Sequence, residues 1–435
     1  MLDAIRAIFS LLLSYGLLLL ANGLFNTLIG VRTALEGFST ELIGIISACH
    51  FIGLLIGANK ATAVVWPVGH IRAFAAFASL MSITALAPVL WINPYFWMVL
   101  RLGTGFCMAG MIMVTEAWIN ARANRDNRGQ IMSLYMITNY LAAGCGQLLL
   151  NLADPATFYL FSIASIIFSL AVVPVLLTQA QAPTLAPLTR LPLRRLWTTS
   201  PLGVAGAAVA GLINATFYGM GPVFAHLVGL SIRETSLFMA SAVLGGLVLQ
   251  WPVGRLSDRI DRRIVLTITT SLVALACFGV VVASSNGAHW LYAVGAVYGG
   301  LSFTLYSIAN AHTNDYADPD QRVQTAGGLL IAYGCGAIAG PLVAATVMGQ
   351  FGATSMFYYN ATICIGLALF ALVRMGLRPG VPRDQRRPLI TLPGGQFTYG
   401  QLQAALRRQL ERSWSQRRTP AENEDDNGES AGSSE

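Results

Sequence analysis

The chain has 435 residues, is 55% hydrophobic and 11% charged, and has a mean hydropathy of +0.60. A formal net charge of +7 would suit nucleic acid, but the basic residues recur in short loops between apolar blocks and in the tail, where they face a membrane surface; nucleic acid is excluded as a partner. The blocks run to about twenty residues, enough to cross a hydrocarbon core about 30 Å thick, so the sequence reads as a polytopic membrane protein.

In chain order the predicted spans are 5–32, 40–62, 71–91, 95–120, 130–152, 156–178, 200–227, 233–255, 263–284, 288–312, 321–348 and 353–376. They read as twelve helices, because barrel strands would alternate over about ten residues whereas these runs are continuous. The first block runs from Ile5 to Val31 without a short apolar core and small-residue cleavage site, so it reads as a span and not a cleaved signal peptide. A proline-rich connection with Arg190, Arg194 and Arg195 divides the spans six and six. The expected domains are a six-helix bundle over 1–178, a cytoplasmic linker over 179–199, a second bundle over 200–376 and a tail over 377–435.

Loops after spans 2, 4, 6 and 8 carry Arg72, then Arg122, Arg125 and Arg128, then the linker arginines, then Arg255, Arg259, Arg262 and Arg263. The alternate loops hold little beyond Arg32 and Arg233, which predicts cytoplasmic termini. Cys49, Cys107, Cys145, Cys277, Cys335 and Cys364 sit singly in apolar blocks, with no C-x-x-C pair and no histidine at ligand spacing. They read as packing residues, and neither a metal nor a cofactor is expected.

The halves look like copies. Gly37-Phe38-Ser39 matches Gly229-Leu230-Ser231 at an offset of 192 residues (229 − 37), and Gly53 matches Gly245 at the same offset. This implies a duplicated six-helix unit, as expected of two bundles rocking about a central site.

The stretch Gly254-Arg255-Leu256-Ser257-Asp258-Arg259-Ile260-Asp261-Arg262-Arg263 lies between spans 8 and 9. It resembles the G-x-L-x-D-R-x-G-R-R loop signature of the major facilitator superfamily, with Asp261 in place of the second glycine. Arg101-x-x-x-Gly105 resembles that superfamily's span-4 motif. Glu116-Ala117-Trp118-Ile119-Asn120, Asn127-Arg128-Gly129 and Ala311-His312-Thr313-Asn314-Asp315 are similar to the YcaD-like group of bacterial permeases. The resemblance covers residues 5–376 and implies the twelve-helix fold of that superfamily in a bacterial inner membrane. It also implies a cytoplasmic gate at Gly254, Asp258, Arg259, Arg262 and Arg263, with Asp258 latching onto the start of span 5 near Gly129 and Gln130. In the first repeat Trp66 stands opposite Asp258, so the corresponding latch there is expected to be weak.

A charge inside a span costs about 2.5–3.5 kcal/mol, so each is a functional candidate. Arg101 is assigned a coupling or cavity-lining role, the alternative being a structural bond to backbone carbonyls. Glu116 is a proton-coupling candidate or the partner of Arg128 or Arg122. His312 and Asp315, three apart on one helical face, read as a cytoplasmic gate network or a proton relay. Lys60 reads as snorkelling to lipid phosphate, the alternative being a contact to an anionic substrate. By the resemblance, spans 1, 4, 7 and 10 line a central cavity, whose polar contacts would be Asn22, Asn26, Thr115, Asn214, Tyr218, Tyr298, Tyr306 and Asn310; interhelical hydrogen bonding is the alternative for each. In the tail, a basic amphipathic helix is expected over 398–416, followed by a disordered acidic end.

The reading is a secondary active transporter of a small organic solute, coupled to protons, working by alternating access as a monomer among membrane lipids. No nucleotide-binding loop, G-x-S-x-G or H-E-x-x-H occurs, so neither an ATP-driven pump nor an enzyme has positive support. The alternatives are a non-transporting sensor signalling through the tail and a membrane enzyme.

Overall fold

The computed structural model describes residues 2–122, 128–177, 191–318 and 321–377, with no strand among them. The helices are α1 (Leu2–Leu35), α2 (Thr40–Val68), α3 (His70–Leu90), α4 (Pro94–Arg122), α5 (Arg128–Leu148), α6 (Tyr159–Leu170) and α7 (Val173–Leu176), then α8 (Leu193–Thr199) in the linker. They continue as α9 (Pro201–Leu227), α10 (Ile232–Arg259), α11 (Arg262–Asn286), α12 (Ala288–Ser302), α13 (Leu305–Tyr316), α14 (Arg322–Phe351) and α15 (Ser355–Leu377). The expected tail helix, Arg125, Arg190 and most of the linker lie outside the described residues, as do the side chains of Arg122 and Arg128.

Among the described residues, eleven segments are long and apolar enough to cross a membrane. The remaining expected span, α5, is helical over 21 residues but is not among the eleven; Gln130, Asn139 and Gln147 dilute its apolar character. Two expected spans are broken. Span 6 is interrupted between α6 and α7, where Pro174 supplies no N–H and suits a helix start. Span 10 is interrupted at Phe303 and Thr304, where the Thr304 N–H tightens onto the Leu301 carbonyl at 3.2 Å and its hydroxyl donates to the same oxygen at 2.7 Å. A hydroxyl that competes for a backbone acceptor in this way locally disturbs the helix.

The packing repeats across the chain. In the first half α1 lies on α5, α2 on α4 and α3 on α6; in the second α9 lies on α14, α10 on α12 and α11 on α15. Glycines permit close crossings at matching places in the two halves. A methyl on Gly53 would sit 2.1 Å from the Leu102 carbonyl oxygen, and one on Gly245 would sit 2.0 Å from that of Ala296. Both approaches are closer than any side chain allows, and the two glycines stand at the offset seen in the sequence.

The Gly-x-Ser pairs also do equivalent work. Gly37 and Gly229 have φ of 71° and 82°, the left-handed conformation that ends α1 and α9. Two residues on, Ser39 and Ser231 cap α2 and α10, and Ser231 forms a reciprocal box with Glu234.

The surface suits lipid. Leu90, Val99, Val248, Leu275 and Val282 are exposed, and exposed Trp66, Trp91, Trp251 and Trp290 lie near helix ends, where indoles favour the membrane interface. Lys60 is exposed near the end of α2, as snorkelling requires. The six cysteines are free thiols.

The halves meet through α5 on α10 and α2 on α14. Several contacts lie towards the face that carries the α1–α2 and α9–α10 loops. Asn151 Nδ2 donates to Ser236 Oγ at 2.7 Å, Ser47 Oγ to the Gly219 carbonyl at 3.4 Å, and Gly30 of α1 packs on Pro222 of α9. Deeper, Tyr140 donates to Gln250 Oε1 at 2.6 Å.

Candidate functional site

A cavity of about 590 Å³ is lined mainly by α1, α2, α4 and α5 of the first set of helices, with Tyr218 and Gly219 of α9 contributed by the second. Its polar groups are Asn22, Asn26, His50, Arg101, Gln147 and Tyr218, and its apolar wall includes Phe51, Leu54, Met108 and Ile112. Arg101 is seven residues into α4, about 10 Å from that helix's start, too deep to reach an aqueous face with ease. It is 5% exposed. Its Nη1 donates to Asn26 Oδ1 at 2.8 Å, and its guanidinium carbon lies 5.9 Å from the Phe25 ring centroid. Its Nε is buried and makes no hydrogen bond, and neither does Asn22 Oδ1. No aspartate or glutamate is among the lining residues.

His50 sits beside Arg101, with Nδ1 3.4 Å from Thr104 Oγ1. The Thr104 proton is directed to the Arg101 carbonyl at 2.8 Å, so Nδ1 carries the hydrogen and Nε2 is left as an acceptor. His50 and Gln147 were not singled out in the sequence. The signal was there: a titratable ring and an amide within apolar spans follow the same logic that selected Arg101.

The expected cavity set divides. Asn22, Asn26 and Tyr218 line this cavity with Arg101, whereas Thr115, Asn214, Tyr298, Tyr306 and Asn310 do not. Thr115 donates to the Met111 carbonyl, Asn310 accepts from Asn314, and Tyr306 packs edge-on to Tyr333. Tyr298 accepts from Asn360 Nδ2 at 3.1 Å and donates to the Ile213 carbonyl at 3.4 Å. Asn214 is fully buried, with neither side-chain polar atom bonded. Taking whole spans as cavity walls included residues that pack within the helices instead.

Glu116 lies at the other end of α4 and is buried. Tyr135 donates to its Oε1 at 2.6 Å, Tyr15 donates to Tyr135 at 3.0 Å, and Asn139 donates to Tyr15. The two rings stack at 4.7 Å, so a continuous hydrogen-bonded chain joins α1, α4 and α5 to the carboxylate.

The charged loop draws in the α13 pair. Arg262 is 2% exposed, donates to the Ala311 carbonyl at 2.9 Å and forms an ion pair with Asp315, pinning the start of α11 to α13. Asp258, with a side chain 38% exposed, lies 3.5 Å from Arg262. Asp261, standing where the signature has glycine, caps α11 by accepting the Arg263 N–H and pairs with the Arg263 guanidinium at 2.7 Å. Gly254 is buried in the last turns of α10, and Arg259 is exposed at its end. His312 stacks edge-on to Tyr316, and both line a pocket of about 270 Å³ with Arg263, Arg374 and Ser200. The loop charges, His312 and Asp315 therefore form one neighbourhood. Gly129 and Gln130, the expected receptor of Asp258, are exposed.

Two sets of helices around a polar cavity, with a charged loop between the second and third helices of the second set, are the anatomy of a membrane transporter. The family model of the Major Facilitator Superfamily matches residues 11–329 and again 205–418. The chain belongs to that superfamily and is an integral, multi-pass bacterial membrane protein. It is similar to an uncharacterised MFS-type transporter of Enterobacter sp. strain 638, 27% identical over 379 residues, covering 85% of this chain and 96% of the relative. The uncharacterised MFS-type transporter YcaD of Escherichia coli is 27% identical over 380 residues, covering 86% and 97%. Among solved structures, the nucleoside transporter NupG matches with a TM-score of 0.71 at 13% identity, covering 86% and 99% of the two chains. A bacterial homologue of the human lysosomal transporter Spinster matches at 0.68 and 14% identity, covering 87% and 97%. At these identities the structural likeness speaks for the fold.

Proposed function

We propose that this chain is a secondary active transporter of a small organic solute, driven by a proton gradient and working by alternating access about the cavity at Arg101. The observation that carries the reading is the cavity itself. It is walled by the first set of helices and closed by Tyr218 and Gly219 of the second, it combines a few polar groups with an apolar wall, and it contains a buried cation. Pockets of that character suit organic solutes rather than bare inorganic ions. Contacts between the halves near the α1–α2 face supply one gate, and the Asp258, Arg262, Asp315 cluster supplies the other. Glu116, with its tyrosine chain, is the proposed proton-carrying group, and His312 with Asp315 the second candidate.

Proteoliposomes containing the purified chain, given a panel of organic solutes under an imposed pH gradient, are expected to accumulate at least one above protein-free liposomes. With that solute, Arg101→Ala is expected to lose nearly all initial uptake per folded molecule, while Arg101→Lys keeps a part. Uptake indistinguishable from empty liposomes for every solute would contradict the reading.

A further inference from the structure

We propose that the cavity at Arg101 selects an organic monocarboxylate whose anionic head is flanked by an uncharged hydrogen-bond donor and followed by an apolar body. The inference rests on the transport reading for its biological sense, but it concerns binding and is tested as such.

Arg101 keeps its proton at any physiological pH, is 5% exposed, and faces a cavity whose lining holds no carboxylate. Within the described residues its bonds are spent on one neutral amide oxygen, Asn26 Oδ1, leaving Nε buried and unbonded. A buried cation without a counter-charge is costly unless something occupies the space beside it, and a planar guanidinium matches a carboxylate in two parallel hydrogen bonds. The missing counter-charge is thus assigned to the solute.

The second element is the direction of the remaining bonds. Asn22 and His50 both line the cavity; Asn22 Oδ1 is buried without a donor, and the contact of His50 Nδ1 with Thr104 leaves Nε2 as an acceptor. These two acceptors ask for a hydroxyl or amide N–H next to the anionic head. The third element is the wall. Phe51, Leu54, Met108 and Ile112 cannot satisfy a second charge, which disfavours dicarboxylates and phosphates and favours an aromatic or branched aliphatic body.

The test is isothermal titration calorimetry on the purified full-length chain with matched acids and amides: mandelate and mandelamide, N-acetyl-L-phenylalanine and its amide, phenylacetate and phenylacetamide. At least one acid is expected to bind about tenfold or more tighter than its amide, since the charge-assisted pair is lost in the amide. Arg101→Gln is expected to bring acid and amide to parity. If that variant is not monodisperse, Arg101→Lys decides: it retains charge but not the fork, so the preference should shrink. Mandelate should bind more tightly than phenylacetate, which lacks the flanking hydroxyl. No acid outbinding its amide, or a preference that survives unchanged in the folded variants, overturns the proposal. The two readings separate cleanly: an acid that binds through Arg101 but is not carried into liposomes defeats transport and leaves the anion site standing, whereas uptake of amides as fast as acids does the reverse.

Discussion

At the scale of single residues, buried charges and their bonds govern. Arg262 and Asp315 form an ion pair with both side chains almost fully buried, at 2% and 4% exposure. Removing one partner of such a pair costs about 3–5 kcal/mol, because the other is left uncompensated. Arg262→Met should therefore lower the melting temperature of the detergent-solubilised protein markedly, and adding Asp315→Leu should recover part of the loss; additive losses would show that the two charges do not depend on each other. Glu116 offers a milder test. Tyr135→Phe deletes a donor to a buried carboxylate, an expense of about 1–3 kcal/mol, and if the chain of hydroxyls relays protons it should also blunt pH-driven accumulation while sparing downhill exchange. Unchanged accumulation in a folded Tyr135→Phe protein would make the chain structural. Arg101 was legible in the sequence because a charge within an apolar run stands out by itself. His50 carries the same signal, but its place beside Arg101 and its contact with Thr104 depend on those residues arriving from another helix.

At the scale of elements, glycines decide which helices touch. Gly53 and Gly245 leave no room for a side chain beside the facing carbonyls of Leu102 and Ala296. Gly53→Val and Gly245→Val are each expected to force two helices apart and to leave little monodisperse protein on size exclusion, while valine at Gly366, which has open space around it, should be tolerated. Gly229→Ala should be milder, about 1–2 kcal/mol for placing an L-residue in the left-handed conformation; thermal melting reads the difference. Helix positions were legible because apolar runs of membrane length are hard to mistake. The interruption at Phe303 and Thr304 was not, because threonine within an apolar run gives no sign of whether its hydroxyl will turn back onto the Leu301 carbonyl. The same limit explains the cavity: which face of α12 and α13 turns inward is set by packing against α9 and α10, not by the order of residues along the run.

At the scale of the molecule, the proposed transport requires two similar sets of helices to move about the cavity that holds Arg101. The repeat was legible from Gly37, Ser39 and Gly53 and their counterparts, because the same backbone turns and crossings need the same small residues twice. The use made of the charged loop was legible only in part: Asp261 caps α11 through the neighbouring Arg263 N–H, a local contact, whereas Arg262 reaching Asp315 required the approach of α11 to α13. Fixing the halves together would stop that movement. Cysteines placed at Asn151, in the short 3-10 turn that follows α5, and at Ser236 of α10, whose side chains meet at 2.7 Å, can be joined by a short thiol cross-linker in a background lacking the six native cysteines. Initial uptake of the transported solute should fall to the level of empty liposomes on cross-linking and return when the linker is cleaved by reductant; full-rate uptake with the link intact would contradict alternating access.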